Sequence, residues 1–557
     1  MSTSIRSSAA VLVSLSLTLT ACGTSAPTAS GTGNGETAEA KAPGGPVKGG
    51  TLTFGVNTEP STCLDPHQSP ADVAGLFTRP VLDSLVSLDT EGRIHPWLAT
   101  SWTVSEDQKT YTLKLREGVK FSDGTPFDAA VVKANLDHIV DPATKSQLAA
   151  GYIEPYEGSE VVDPHTVKVS FSRPYSPFLP ALATAYFGIE SPRSLQQPQD
   201  ALCKKVVGSG PFVIDEYVVQ KGITYHRNPG YDWAPEGAGH TGAAYLDKLE
   251  IKVITEDSVR LGALTSGQVD AIASVPPVNV GQVRADPRLT ITTRQAPGGN
   301  YNYYPNTTSG PFADKRVRQA FRDGIDFATI VKNLYFGAFQ PAAGPVSPAT
   351  DGYDKTLEGK AKYDPAAANR LLDEAGWASK DAEGYRTKDG RRLTIRWGFL
   401  KEFAREQRDT LAEQIQAEAK KIGFDVQFVG GTVNEWLESY PKGDYDLIDF
   451  SWQRADGDTL RNLFDTSAIP TAAKFGQNAA RLSDKDVDGW LSDALDTTDQ
   501  AERAGLYAKV QQRVTDEAAV FPVYVFNYLL GAGRKVHGIG WEPQAYPTFY
   551  DAWVEQA

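Results

Sequence analysis

Apolar positions along the chain fall into two periods, and each predicts its own elements. Thr51–Val56 alternates apolar with small or polar residues and reads as an opening strand. Tyr111, Leu113 and Leu115 share one face of the next clear run, with Thr112, Lys114 and Arg116 on the other. That alternation belongs to a half-buried antiparallel strand, and Val167–Phe171 repeats it. Elsewhere the spacing is helical. Asp364 and Pro365 offer an N-cap and a proline at the first helical position; Ala368, Leu371, Leu372 and Ala375 then share a face, and Gly376 ends the helix. Asp314 caps a helix with Val317, Ala320 and Phe321 inward. Leu411, Ile415, Ala419 and Ile422 form another stripe, stopped by Gly423 and followed at once by a strand at Asp425–Val429. A helix feeding a strand in this way is an α/β unit. No repeat of about 20 to 50 residues recurs, which excludes a solenoid.

The first residues follow neither pattern. Arg6 precedes an apolar run, Ala9–Leu19, that falls short of the roughly 20 residues a membrane helix needs. It reads as a secretory signal. Leu19-Thr20-Ala21-Cys22 resembles a bacterial lipobox, which implies a signal peptide over residues 1–21, cleavage before Cys22 and lipid on its sulfur. A secreted protein with an incidental cysteine is the plainer alternative. Residues 22–49 are rich in Gly, Ala, Thr, Ser and Pro and contain almost nothing to bury. Such a segment serves as a tether of roughly 30 Å end to end.

Length and charge narrow the rest. A chain of 557 residues exceeds one hydrophobic core and predicts several lobes. A net charge of −14 leaves no basic stripe for nucleic acid. Outside the cytoplasm thiols oxidise, and the two cysteines besides Cys22, Cys63 and Cys203, are expected to bridge; two separate buried thiols are the alternative. No cluster of His and Cys has zinc spacing, so neither metal nor cofactor is expected. A hydrolase ranks last: no Gly-x-Ser-x-Gly and no His-Glu-x-x-His occurs, the seven histidines are scattered, and no catalytic residue is assigned. Gly208-Ser209-Gly210 reads as a tight strand start rather than an anion nest.

A set of ordered motifs carries a family resemblance from about Gly50 to Val525. It runs through Glu59-Pro60, Leu64-Asp65-Pro66, Leu98–Trp102, the long segment Tyr111–Phe127, Val207–Phe212, Arg227–Tyr231 and Leu264–Asp270. It continues through Pro311–Phe321, Tyr363–Pro365 and Leu371–Trp377. Together these resemble the family 5 extracellular solute-binding proteins, which feed dipeptide, oligopeptide and nickel ABC importers. The resemblance implies an α/β fold of the large type II periplasmic-binding-protein class, a two-lobed clamp with an extra small α+β domain. Lobe I would combine residues 50–80, 204–300 and 520–557; the extra domain would span 81–203 and lobe II 301–519. It also implies a monomer, lipid-anchored at the outer face of the cell membrane (the periplasm in a Gram-negative host). That monomer would take a peptide or peptide-like molecule to the permease's membrane subunits.

The resemblance points to ligand contacts at Glu59, Tyr301, Asn302, Tyr303, Trp452, Arg454, Asp456 and Asp458. In peptide-binding relatives a Trp is followed three residues later by an Asp that pairs with the ligand's ammonium. Here that position is Ala455. Either Asp456 takes over by a one-residue shift, or the amine is not gripped in that way. Arg454 offers a bidentate site for a carboxylate or phosphate; pairing between Arg454 and Asp458 within the loop is the alternative. Opines, oligosaccharides, siderophores and metal chelates stay open as ligands, as does a receptor that senses without transport.

Overall fold

A computed structural model of the chain describes residues 45–556 apart from 61–62, 70–72, 90–91, 147, 361, 402–403 and 473–475. The signal and lipobox readings, including Cys22, lie outside the described residues. Two large sheets organise the body. The first orders its strands as 289–295, 527–533, 271–272, 51–56, 248–253, 222–227 and 212–218. Thr51–Val56 runs parallel to both the 248–253 and the 271–272 strands, and Leu52, Phe54 and Val56 point into the core. The second sheet orders 340–341, 521–525, 298–305, 447–453, 394–398 and 425–429.

The chain passes between these sheets through two short links. Strand Leu289–Gln295 of the first sheet continues through residues 296–297 into Gly298–Pro305 of the second. Phe521–Val525 of the second returns through Phe526 into Asn527–Gly533 of the first. Two adjacent links of one or two residues are the geometry of a hinge. Phe526 packs against the cores on both sides.

The extra domain is a four-stranded antiparallel sheet, ordered 99–104, 110–115, 166–171 and 156–163, with helix Ala129–Val140 packed on it. Tyr111, Leu113, Leu115, Val167, Val169 and Phe171 are all buried, as the alternation requires. Asp128 caps the helix by accepting a hydrogen bond from the Val131 amide. In the second half of the chain Asp364 accepts from the Ala367 amide and Asp314 from the Arg316 amide. Leu411, Ile415 and Ala419 face the core beneath strand Asp425–Val429.

Two local features fix how the extra domain joins the first lobe. A Cβ on Gly208 would lie 2.1 Å from the Val81 carbonyl oxygen, and the Gly210 amide bonds that same oxygen at 2.8 Å. The glycines are therefore what allows residues 208–210 to lie against Val81. A disulfide joins Cys63 to Cys203, 140 residues apart in sequence. Closing a loop of that length contributes about 5 kcal/mol in the chain-entropy model. Among the described residues no helix is long and apolar enough to cross a membrane.

Candidate functional site

A cavity of about 570 Å³ lies between elements of the two sheets. One wall carries Arg79, Trp97, Tyr231, Trp541 and Tyr550; the other carries Arg294, residues 349–351 and Ala455. The volume is within the roughly 300–1,000 Å³ of small-ligand sites. Most charges at its edge are already engaged. Glu542 faces Arg79 at 3.4 Å, and Arg79 lies over the Trp97 ring. Asp551 meets His240 at 2.8 Å, Asp89 meets Arg93 and His95, and Asp351 lies 3.5 Å from Arg503. Arg294 differs. It is half-buried near the end of the hinge strand, and its guanidinium has no hydrogen-bond or ion-pair partner among the described residues.

Asp83 faces the same cavity. Its carboxylate accepts from Ser209 Oγ at 2.7 Å, Trp233 Nε1 at 2.9 Å and Tyr231 Oη at 3.3 Å. Burial still dominates and pushes this carboxyl up to about 6, against the pull of those donors and of Arg79.

A second cavity of about 220 Å³ lies beside strand Leu447–Gln453, walled by Phe399, Arg405, Trp436, Phe450, Trp452 and Gln477. The Trp452 Nε1 and the Gln477 Oε1 are buried there without a hydrogen-bond partner among the described residues. Arg408 also reaches this wall. It donates to Tyr524 Oη at 2.9 Å and Ser451 Oγ at 3.2 Å, lies over the Tyr301 ring at 4.2 Å, and meets Glu406 at 3.0 Å. Glu406 and Gln407 both have positive φ, 52° and 57°, so this loop is held in a conformation that side chains resist.

The turn after strand Leu447–Gln453 encloses a buried charge cluster. Arg454 is 1% exposed, with Nε 3.1 Å from Asp456 Oδ1 and Nη2 2.8 Å from Asp458 Oδ2. Its Nη1 donates to Asn462 Oδ1 at 2.7 Å, and its carbon lies 4.4 Å from the Tyr152 ring centre. Arg461 completes the group at 2.8 Å from Asp458. Burial pushes the Asp456 carboxyl up, with Arg454 pulling the other way. Burial acts on Asp458 too, but Arg461 and Arg454 outweigh it and hold that carboxyl below the usual range.

Comparison with known proteins places this geometry. Residues 93–469 match the model for bacterial extracellular solute-binding proteins, family 5 (middle). The chain belongs to the family 5 extracellular solute-binding proteins. The glutathione-binding protein GsiB of Escherichia coli K12 is 28% identical over 495 residues, covering 88% of this chain and 92% of that one. NikA from Brucella suis, solved with Fe(III)-EDTA, superposes with a TM-score of 0.78 at 26% identity, covering 91% of this chain and 100% of that one. DppA from Helicobacter pylori, solved with the peptide STSA, gives a TM-score of 0.77 at 25% identity, covering 92% and 99%. The fold is the family's two-lobed α/β clamp, the family serves ABC importers, and its members are extracellular or periplasmic binding proteins rather than enzymes.

Within this family 5 member the residues singled out from sequence do not gather in one place. Trp452 lines the smaller cavity, whereas Arg454, Asp456 and Asp458 line neither cavity and pair with one another. Ala455, between them, faces the larger cavity. Glu59 accepts from the Gln220 amide at 2.7 Å and from Tyr217 Oη. Tyr301, Asn302 and Tyr303 are fully buried; Tyr301 donates to Asp449, and Asn302 donates to the Pro345 carbonyl. Asp83, Arg294 and Asp351 also line the larger cavity, and the sequence singles out none of them; Arg294 is the one cation of a Thr-rich strand, next to its last residue, and no motif marks it.

Removing Arg454 leaves the buried Asp456 carboxylate without its cation and Asp458 with Arg461 alone. Arg454→Ala is expected to cost the ligand-free protein about 3–5 kcal/mol, read as a drop in thermal midpoint; an unchanged midpoint with lost ligand binding would instead make it a contact residue. The raised Asp83 carboxyl favours the protonated native state. Its contribution is complete below about pH 4, the unfolded value, and is lost as pH rises through about 6. The size is about 3 kcal/mol. The difference in unfolding free energy between wild type and Asp83→Asn should therefore change by that amount between pH 4 and 7, and a flat difference would contradict the assignment.

Proposed function

We propose that this importer-binding protein carries a peptide-like molecule whose carboxylate is held by Arg294, and that it does so as a lipid-anchored monomer. The observation that carries the reading is the guanidinium on the wall of the larger cavity, which has no partner among the described residues. A half-buried cation with no protein partner favours an anion in its place, and a guanidinium suits a carboxylate in two parallel hydrogen bonds. The aromatic rings of Trp97, Tyr231, Trp541 and Tyr550 supply apolar walls for the rest of the ligand. The named ligands of the relatives, glutathione and the peptide STSA, carry free carboxylates as well.

Ala455 refines the ligand. Its methyl group offers no acceptor, and the neighbouring Asp456 is engaged by Arg454. A free ammonium is thus not gripped at this turn, and binding depends on the acid end of the ligand. Because the cavity reaches the first link at Pro297, closing on the ligand brings the two lobes together, and the permease reads that closed shape.

The test is a calorimetric titration of ligand-stripped protein with a peptide panel in free-acid and C-terminally amidated, free-amine and acetylated forms. Acids are expected to bind and amides to lose tenfold or more, with acetylation having little effect. Arg294→Gln should lower the acid's affinity by about 10- to 100-fold, the range of a charge-assisted bond. If amidation and the Arg294 variant change nothing, or only sugars or metal chelates bind, the ligand assignment fails.

The lipobox at residues 19–22 supports the anchor. Cells fed labelled palmitate should incorporate it into the wild-type protein and not into Cys22→Ser, which is released to the medium. Equal labelling of both would contradict anchoring at Cys22.

A further inference from the structure

Away from both cavities, the segment after the first strand lies against the end of the extra domain and buries three ligating side chains. Asp65, His67 and Glu190 are each 0% exposed, and one ligand atom from each lies within 4.8 Å of the other two. Neither carboxylate is paired with a lysine or arginine among the described residues. Two carboxylates out of water without a cation are expensive, several kcal/mol for each ion. We propose that Asp65, His67 and Glu190 form a structural site for a divalent transition metal, with zinc the best fit.

The surrounding hydrogen bonds are those that orient metal ligands. A ligating histidine donates its other ring N–H to a carbonyl or carboxylate. His67 does this: Nε2 faces the Gly188 carbonyl oxygen at 3.1 Å and carries the proton, so the Nδ1 lone pair, which without an ion accepts from His138 Nδ1 at 3.0 Å, is the one a metal would take. Glu190 Oε2 accepts from Ser194 Oγ at 2.7 Å, while its Oε1 is buried and meets no donor. Asp65 Oδ1 accepts from the His67 amide at 2.7 Å and Oδ2 from Gln199 Nε2 at 2.8 Å. Each carboxylate is aimed by its neighbours and keeps lone pairs to spare.

At about 2.0–2.2 Å from a tetrahedral zinc, two ligands lie about 3.3–3.6 Å apart, so ligand atoms that stand within 4.8 Å of one another close on a single ion by small side-chain rotations of up to about an ångström. Water, or the His138 ring whose Nδ1 lies 3.0 Å from that of His67, takes the fourth position. Imidazole with two carboxylates suits zinc among the common divalent ions. The positions 65, 67 and 190 are too far apart in sequence for a spacing motif to reveal them. The ion would reinforce the junction already tied by the Cys63–Cys203 bridge, where the Leu64 amide bonds the Cys203 carbonyl at 3.0 Å.

The full-length protein, stripped with a chelating resin, is incubated with zinc chloride, desalted and analysed for metal alongside Glu190→Gln. One zinc per wild-type chain and less than a tenth of that in the variant is expected, with zinc raising the thermal midpoint of wild type alone. No zinc on wild type, or equal zinc on both, overturns the site; equal binding would place the metal elsewhere, including the ligand cleft. Should the variant fail to fold, wild-type crystals measured across the zinc absorption edge decide. An anomalous peak among the three side chains supports the proposal, and its absence refutes it.

Discussion

A charge removed from water must find a partner, and in this protein that constraint sorts the charged groups near the cleft. Arg454, Asp456, Asp458 and Arg461 satisfy one another inside the turn that follows strand Leu447–Gln453. They are neutralised within the protein, and the same turn presents Ala455 to the larger cavity and Trp452 to the smaller one. Arg79 and Glu542, Asp551 and His240, and Asp89 and Arg93 are matched on the opposite wall. What the pairing leaves over among the described residues of the cavity is Arg294. A binding protein needs such a remainder, since a site whose charges are all satisfied internally gains little from a charged ligand.

The location of that remainder matters mechanically. Arg294 sits on the strand that leads from one sheet to the other, with the return link at Phe526 beside it. On the proposed reading, a ligand anchored there would touch a link between the two sheets while its second end reaches lining residues from both halves of the chain, so that binding energy would go into closing the cleft. The disulfide, and the glycines that let residues 208–210 approach Val81, fasten the extra domain to the first lobe.

Much of the scaffold was legible in the sequence because local patterns determine it. The alternation at Tyr111–Arg116, the Asp364 and Asp314 caps and the stripe at Leu411–Ile422 each appear where the pattern puts them. The site was legible only in part. Ala455 stood out as a departure and does face the cavity, but the sequence could not tell which partner Arg454 would take. Side chains four residues apart can meet each other or a ligand, and burial decides between them. Arg294 carries no local signal, since what sets it apart is the lack of an ion-pair partner among the described residues, which no sequence pattern encodes. The Asp65–His67–Glu190 cluster was equally invisible, being assembled from segments more than a hundred residues apart.

The most direct test is a crystal structure of the protein carrying the ligand with which it is purified. The account predicts a ligand carboxylate within hydrogen-bond distance of the Arg294 guanidinium, with Arg454 still paired to Asp456 and Asp458. A ligand held instead by Arg454 or Asp458, with Arg294 in open solvent, would contradict it.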